Sequence, residues 1–510
     1  MSQGSVDVAI SAEPLEPTPE GQVLTPPLPA PAAATQLAET IAGPRNRLLP
    51  VIIGIALFMQ TLDSTIIGNA LPTMARSLNE SPLALNLAIT TYLLAAAIFL
   101  PISGWLADRF GARLVFMSAI IGFAASSLFC GLASTLPMMV AARFVQGCAG
   151  AMMVPVGRLV LLKTVPKSDL VDAMSWLTVP AILGPVIGPP IGGFIVTFWS
   201  WRWIFFLNLP IAALGVAAVY SFVPDVREEL TRPLDIRGFI LSGLGLAGLI
   251  FGFENLGRSM LPLQLVIGLI IVGAIAIMLF SLHAKRAAHP ILDLGLFKYR
   301  TFLVATVGGT FPRLIIGASG FLMALLLQIG FGLSAFQAGL VTFAGAFGAL
   351  LMKTTAPPII RRFGFKPVLI TVAVAQAIIF SSYALFTKET PHLLITTILF
   401  VGGFFASLHF TSLNTLAYAD LEQHDMSRAS TLASMMQQLA MSLGVGFSAL
   451  IVGALQQMNG TANLTANDIS PAFIFIGAAA LIALAFYLTM PADAGELVSG
   501  KNRRFQPGGE

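Results

Sequence analysis

GWLADRFGARLVF, Gly104 to Phe116, sets a knot of charged and turn-forming residues between two long apolar runs. Gly104 lets two helices approach closely, and Asp108 is placed to cap or bridge a neighbouring helix end. Gly111 supplies a tight turn, while Arg109 and Arg113 anchor the loop on the cytoplasmic side. Such a segment is a charged hinge between two membrane spans. An ordinary short loop with positive-inside arginines reads the same way, so its meaning depends on what surrounds it.

The surroundings are those of a polytopic membrane protein. Of 510 residues, 56% are hydrophobic and only 10% charged, with a mean hydropathy of +0.85. A spanning helix needs ~20 mainly apolar residues. Such runs fall at roughly 48–71, 83–106, 114–134, 137–162, 173–198, 203–223 and 236–256, and again at about 262–283, 302–329, 336–356, 367–387, 391–418, 430–456 and 471–490. Fourteen spans follow, and they lack the polar faces that the outer helices of a soluble bundle would need.

Basic residues flanking spans stay in the cytoplasm. With the N-terminus inside, only Arg76, Arg202, Arg258 and Lys388 of the 28 Lys and Arg fall outside, and Arg143 and Arg313 lie within spans. Both termini are therefore expected in the cytoplasm. Residues 1–46 are rich in proline and carry Glu13, Glu16 and Glu20 without a sustained apolar run, which reads as a disordered tail with no signal peptide. A net charge of +4 with no basic patch interleaved with aromatics gives no reason to expect a nucleic-acid partner. Cys130 and Cys148, the two cysteines, both fall inside spans and read as packing residues, so neither a disulfide nor a metal site is expected.

The loop at 104–113 resembles the signature that joins the second and third helices in the major facilitator superfamily. Its core, RFGAR at Arg109–Arg113, recurs as RFGFK at Arg362–Lys366, with Arg361 standing where Asp108 stands in the first copy. The resemblance implies an all-α fold of two six-helix halves, and the surplus of two spans implies an inserted hairpin. The implied divisions are a tail at 1–46, an N-terminal half at 47–225, the inserted pair with its connector at 226–300, a C-terminal half at 301–490 and a second tail at 491–510. The insertion resembles the fourteen-span drug:proton antiporter family. Ile291, Leu292, Leu294, Leu296 and Phe297 in the connector suit a short amphipathic helix lying at the membrane interface.

GPVIGPPIGG in span 5, Gly184 to Gly193, resembles the antiporter motif of exporters in this superfamily. Gly184, Gly188 and Gly192 recur every four residues on one face, with Gly193 beside them, so a neighbouring helix can pack nearly backbone to backbone. Pro185 and Pro189 interrupt the hydrogen-bond ladder and permit a bend. LDSTIIGNALP in span 1, Leu62 to Pro72, looks like the first-helix signature of the fourteen-span family, except that Gly68 stands where that family usually has Asn, and Asn69 follows. RFVQGCAGAMMVPVGR in span 4, with Arg143, Gln146 and Gly147, resembles the superfamily's proton-relay motif.

A charge near the membrane centre costs about 2.5–3.5 kcal/mol on insertion scales, so it is expected to have a partner. Counting rise along the helices puts Asp63 and Arg143 at one level, roughly 8–10 Å below the outer boundary. They are the expected proton-coupling pair. Gln60, Gln146, Arg313, His409, Gln437 and Gln438 are the polar groups expected to line a substrate cavity. The expected function is proton-coupled export of drugs or toxic small molecules across a bacterial inner membrane. Its partners would be the substrate, protons and the lipid bilayer, with no cofactor; a periplasmic adaptor is compatible with the sequence but not indicated. Export of an anionic metabolite such as citrate or a metal–citrate chelate is the alternative, with Arg143 and Arg313 as carboxylate ligands. A membrane-embedded enzyme fits worst, because no catalytic cluster or nucleotide-binding loop is present.

Overall fold

A computed structural model describes residues 48–165, 170–225, 233–256, 261–422, 425–491 and 494–495. The tail expected at 1–46 and most of that at 491–510 lie outside the described residues. The helices are α1 (Leu48–Ser77), α2 (Pro82–Phe110), α3 (Ala112–Leu132), α4 (Leu136–Thr164), α5 (Leu170–Phe198), α6 (Trp203–Phe222) and α7 (Ile236–Asn255). They continue as α8 (Leu263–Ala284), α9 (Arg300–Gly330), α10 (Ala335–Phe363), α11 (Phe365–Leu385), α12 (His392–Leu416), α13 (Met426–Asn459) and α14 (Ala466–Leu488). Thirteen are long and apolar enough to cross a membrane, and α5 contributes the apolar stretch Ile182–Phe198. No strand occurs among the described residues.

The repeated RFG sequence has the same local geometry twice. Helix α2 ends at Gly111, with φ 95°, and α10 ends at Gly364, with φ 81°, both in the region open to glycine. The cation two residues on then caps a different helix in each copy. An Arg113 Nη2 hydrogen bond is donated to the Tyr220 carbonyl near the end of α6. Lys366 Nζ donates to the carbonyls of Leu488 and Met490, at 3.0 and 2.6 Å, at the end of α14. A cation there meets the carbonyls that a helix C-terminus leaves unpaired.

The glycine face of α5 lies against α1. A Cβ at Gly184 would overlap Thr61, one at Gly188 would overlap Thr65, and one at Gly192 would reach Ile66 Cγ2 at 2.6 Å. On the next face, Gly193 meets the backbone of Ala335 and Gly339 meets the carbonyl of Pro189, so α5 and α10 close together at the end of the bundle opposite the Gly111 turn. Phe336 N donates to Thr197 Oγ1 at 3.0 Å in the same seam. Helices α7 and α8 pack on each other through Gly245, Gly248, Gly252 and Gly273.

Two expectations are corrected. A Cβ at Gly104 would meet no atom within 4 Å, so the close helix approach expected there is not made in this conformation. The connector after α8 forms only a short 3-10 helix, Leu294–Lys298, and not an amphipathic helix on the interface. Its Leu292 and Leu296 are buried in the core shared with α12 and α13, because the 291–297 spacing turns apolar groups inward from an irregular backbone.

Asp235 holds the connector in place by accepting from Gly238 N (2.9 Å), Ile291 N (3.2 Å) and His283 Nε2 (2.7 Å). Burial works to raise the Asp235 carboxyl, but these three donors outweigh it and keep it below the ordinary carboxylate value. A depressed value stabilises the fold above the unfolded pKa and is lost as pH falls through the folded one. Asp235→Asn is therefore expected to lower the thermal midpoint in detergent at pH 7. The gap to the wild type should narrow below about pH 4. A gap independent of pH would show that the charge on Asp235 does not hold the connector.

Candidate functional site

Asp63 and Arg143 meet inside the first six helices, with Arg143 Nη1 2.6 Å from Asp63 Oδ2 and both side chains buried. Every neighbour of the carboxylate is a donor. Gln146 Nε2 and Asn208 Nδ2 each donate to Asp63 Oδ1 at 3.1 Å, so α4 and α6 supply what α1 needs. Ser127 Oγ on α3 accepts from both amides, at 2.7 and 3.2 Å. Gln146 Oε1 in turn accepts from Arg143 Nη1 at 2.6 Å.

Local sequence explains the placement of the arginine. Gly147 leaves no room for a Cβ against the Tyr92 carbonyl and Ala95, which draws α4 onto α2. Arg143 Nε then reaches the Ala88 carbonyl at 3.1 Å, and its guanidinium carbon lies 4.3 Å from the centre of the Tyr92 ring. Arg143 Nη2 has no hydrogen-bond partner among the described residues.

A cavity of about 380 Å³ opens beside this network, between α1, α2, α4 and α5 on one wall and α9 to α13 on the other. Arg143, Tyr92 and Asn69 stand in the first wall and Thr342, Gln376 and Tyr383 in the second. Most of the rest is apolar. Asn69 also fastens three helices, since Nδ2 donates to Pro189 O at 3.2 Å and Gln328 Nε2 donates to Asn69 O at 2.9 Å. Gly68 of α1 lies against Gly320 of α9, where a Cβ would make an ordinary 3.5 Å contact with the Gly320 carbonyl.

None of Gln60, Gln146, Arg313, His409, Gln437 and Gln438 is in the cavity wall. Gln146 is drawn into the Asp63 network. Arg313 turns back along its own helix, donating from Nη1 to Ala305 O at 2.9 Å and from Nη2 to Asn414 Oδ1 at 3.2 Å. That carbonyl lies in a π-turn, Val304–Gly308, whose wider ladder leaves a backbone acceptor for the guanidinium. His409 stands one layer behind Gln376, with Nδ1 2.6 Å from Gln376 Oε1 and Nε2 2.8 Å from the Tyr487 hydroxyl. Gln60, Gln437 and Gln438 are half-buried.

At the loop end, Asp108 pairs with Lys163 of α4 at 3.4 Å in a partly exposed bridge. Gln376, in the cavity wall, and Glu254, buried between helices, are polar groups that no sequence motif marks. Glu254, near the end of α7, is buried and accepts from Thr90 Oγ1 at 3.0 Å, and a Cβ on Gly446 of α13 already lies 3.1 Å from its Cγ if built. An acid one residue from a span end looks like a solvated terminus in sequence, which is why it goes unmarked. Among the described residues, no cluster of His, Cys, Asp and Glu could hold a metal ion.

The model of the Major Facilitator Superfamily matches residues 53–318 and again 302–507. "Putative multidrug resistance protein MdtD" of Yersinia enterocolitica is 38% identical over 446 residues, covering 87% of this chain and 95% of the relative. The protein of the same name from Klebsiella pneumoniae is 38% identical over 451 residues, covering 87% and 94%. Among solved structures, an auto-inhibited peptide transporter of the POT family superposes with a TM-score of 0.65 at 14% identity, covering 87% of this chain and 96% of that one. A D-xylose–proton symporter superposes at 0.61 and 17% identity, covering 88% and 98%. At such identities the likeness speaks to the fold.

A buried ion pair resists the loss of one member more than of both. Arg143→Met should cost ~3–5 kcal/mol of stability by stranding the Asp63 carboxylate, whereas adding Asp63→Leu should recover much of it. Thermal unfolding of the purified variants reads this directly. Additive losses in the double variant would mean that the two charges are held independently.

Proposed function

The chain belongs to the major facilitator superfamily and is a multi-pass membrane transporter, and on that premise we propose that it is a proton-coupled exporter of drugs or other toxic amphiphiles. The observation that carries the reading is the Asp63–Arg143 pair, buried beside the central cavity with Arg143 in its wall. The names of the relatives favour a drug substrate.

The donor set around Asp63 suits an ionised carboxylate, because all three hydrogen bonds point into it. A proton arriving on Asp63 cancels the charge that holds Arg143, so the Arg143 contact is the one it weakens most. Arg143 then needs another partner within the bilayer, where water is scarce. Proton binding thus loosens α1 from α4 and changes what the cavity wall offers. Alternation between the paired state and the protonated state would couple proton entry to substrate exit.

The host membrane in this reading is a bacterial inner membrane with both termini cytoplasmic, which puts the Gly111 turn inside. The seam of α5 with α10 then closes the periplasmic end, and the open space at Gly104 belongs to the cytoplasmic end. Asp108 and Gly104 would close that end when the other opens.

Asp63→Asn should leave the protein inserted yet abolish export driven by a proton gradient in proteoliposomes, while gradient-free exchange survives. Normal gradient-driven export by that variant would place proton coupling elsewhere. Orientation is tested separately: an alkaline phosphatase fusion at residue 290 should be inactive and one near Asn463 active, and activity at 290 would overturn the topology.

A further inference from the structure

Gln376 on α11 is 3% exposed, stands in the wall of the central cavity, and has an amide nitrogen without a hydrogen-bond partner. Its oxygen is not free to turn into the cavity. Gln376 Oε1 lies 2.6 Å from His409 Nδ1, and His409 Nε2 lies 2.8 Å from the Tyr487 hydroxyl. Since a neutral imidazole carries one N–H, the chain has only two settings. Either Tyr487 donates to Nε2 and Nδ1–H donates to Oε1, or every direction reverses and the amide flips.

The side chains adopt the first setting, with Gln376 Oε1 toward His409 and Nε2 away from it. The imidazole then carries its proton on Nδ1, the amide oxygen accepts it, and the amide N–H₂ is left buried at the cavity wall without a protein partner. The opposite wall has a counterpart in Arg143 Nη2, also buried and without a partner. No Asp or Glu stands among the wall residues described.

Resting on the exporter reading for its setting, we propose that Gln376 is a substrate-binding donor that selects amphiphiles bearing a carbonyl or carboxylate oxygen, with His409 and Tyr487 as positioning residues that hold the amide in its donating orientation. A buried donor left unpaired is costly, so an oxygen that meets it gains more than the same contact would at a wet surface. Cations lacking an acceptor gain no hydrogen bond from Gln376. Discrimination thus comes from an unmet hydrogen bond in a largely apolar chamber.

The test is equilibrium binding to the full-length protein in lipid nanodiscs, with empty nanodiscs as reference and no proton gradient. The probes are naproxen, an amphiphilic carboxylate, and tetraphenylphosphonium, a lipophilic cation without an acceptor. Wild type should prefer naproxen. Gln376→Leu should weaken naproxen roughly tenfold while leaving tetraphenylphosphonium within about twofold. Gln376→Glu, which keeps the size and replaces the donor by an acceptor, should reverse the preference. Tyr487→Phe should lower naproxen affinity about threefold, again without moving the cation, because the amide is freed to flip. Equal naproxen affinity in wild type and both Gln376 variants, a parallel loss of both probes, or a wild type that prefers the cation would overturn the proposal. Failure of gradient-driven transport with the binding pattern intact would instead defeat the exporter reading and leave this one standing.

Discussion

Inside a bilayer a polar group has no water to fall back on, so each must find its partner in the protein. The Asp63 carboxylate makes that constraint architectural. It takes donors from α4 and α6, and the amides that serve it are held by Ser127 on α3, so four helices are located by one side chain on α1. Moving any of them by a turn would leave a buried donor or acceptor unmet. Gly147 is part of the same arrangement, because only without a side chain there does α4 come near enough to α2 for Arg143 to reach Ala88.

The last six helices meet the constraint differently. Arg313 has no carboxylate partner among the described residues and is satisfied by a backbone carbonyl in a π-turn and by the Asn414 amide. His409, Gln376 and Tyr487 form a chain in which every link can be neutral. One set of helices therefore holds a charge pair, the other a lone cation and a dipole chain. The cavity between them inherits that imbalance, with Arg143 in one wall and a donating amide in the other.

Much of this was legible from residues whose meaning is local or periodic. Apolar run length gives the spans, four-residue glycine spacing gives α5 a close-packing face, and counting rise puts Asp63 level with Arg143 before any packing is known. The two Gly turns could be read from their repeated neighbours. What could not be read is which side of a helix faces the cavity, since lipid-facing and chamber-facing surfaces are both apolar and carry no contrast. Gln146, Arg313 and His409 are polar and central, yet each is turned to a partner away from the chamber, while Gln376, a single amide in an apolar run, faces it. The connector failed for another reason. Its apolar spacing suits a helix face, but Leu292 and Leu296 are buried in a core shared by several helices, reached from an irregular chain.

The helix pair α7–α8 is tied to the bundle through a contact that bears on movement. Thr90 on α2 donates to Glu254 on α7, and Ser442 on α13 donates to the Thr90 carbonyl at 3.4 Å. Helices α2 and α13 thus share one residue with the pair, and Gly446 leaves space for the carboxylate beside them. If α2 and α13 belong to halves that rock against each other, Glu254 cannot keep both neighbours through the cycle. A buried carboxylate gives up a donor only when another takes its place, so the change of partner is discrete and not a gradual slide. On that footing the pair would add a polar contact whose exchange weights one arrangement of α2 and α13 over the other.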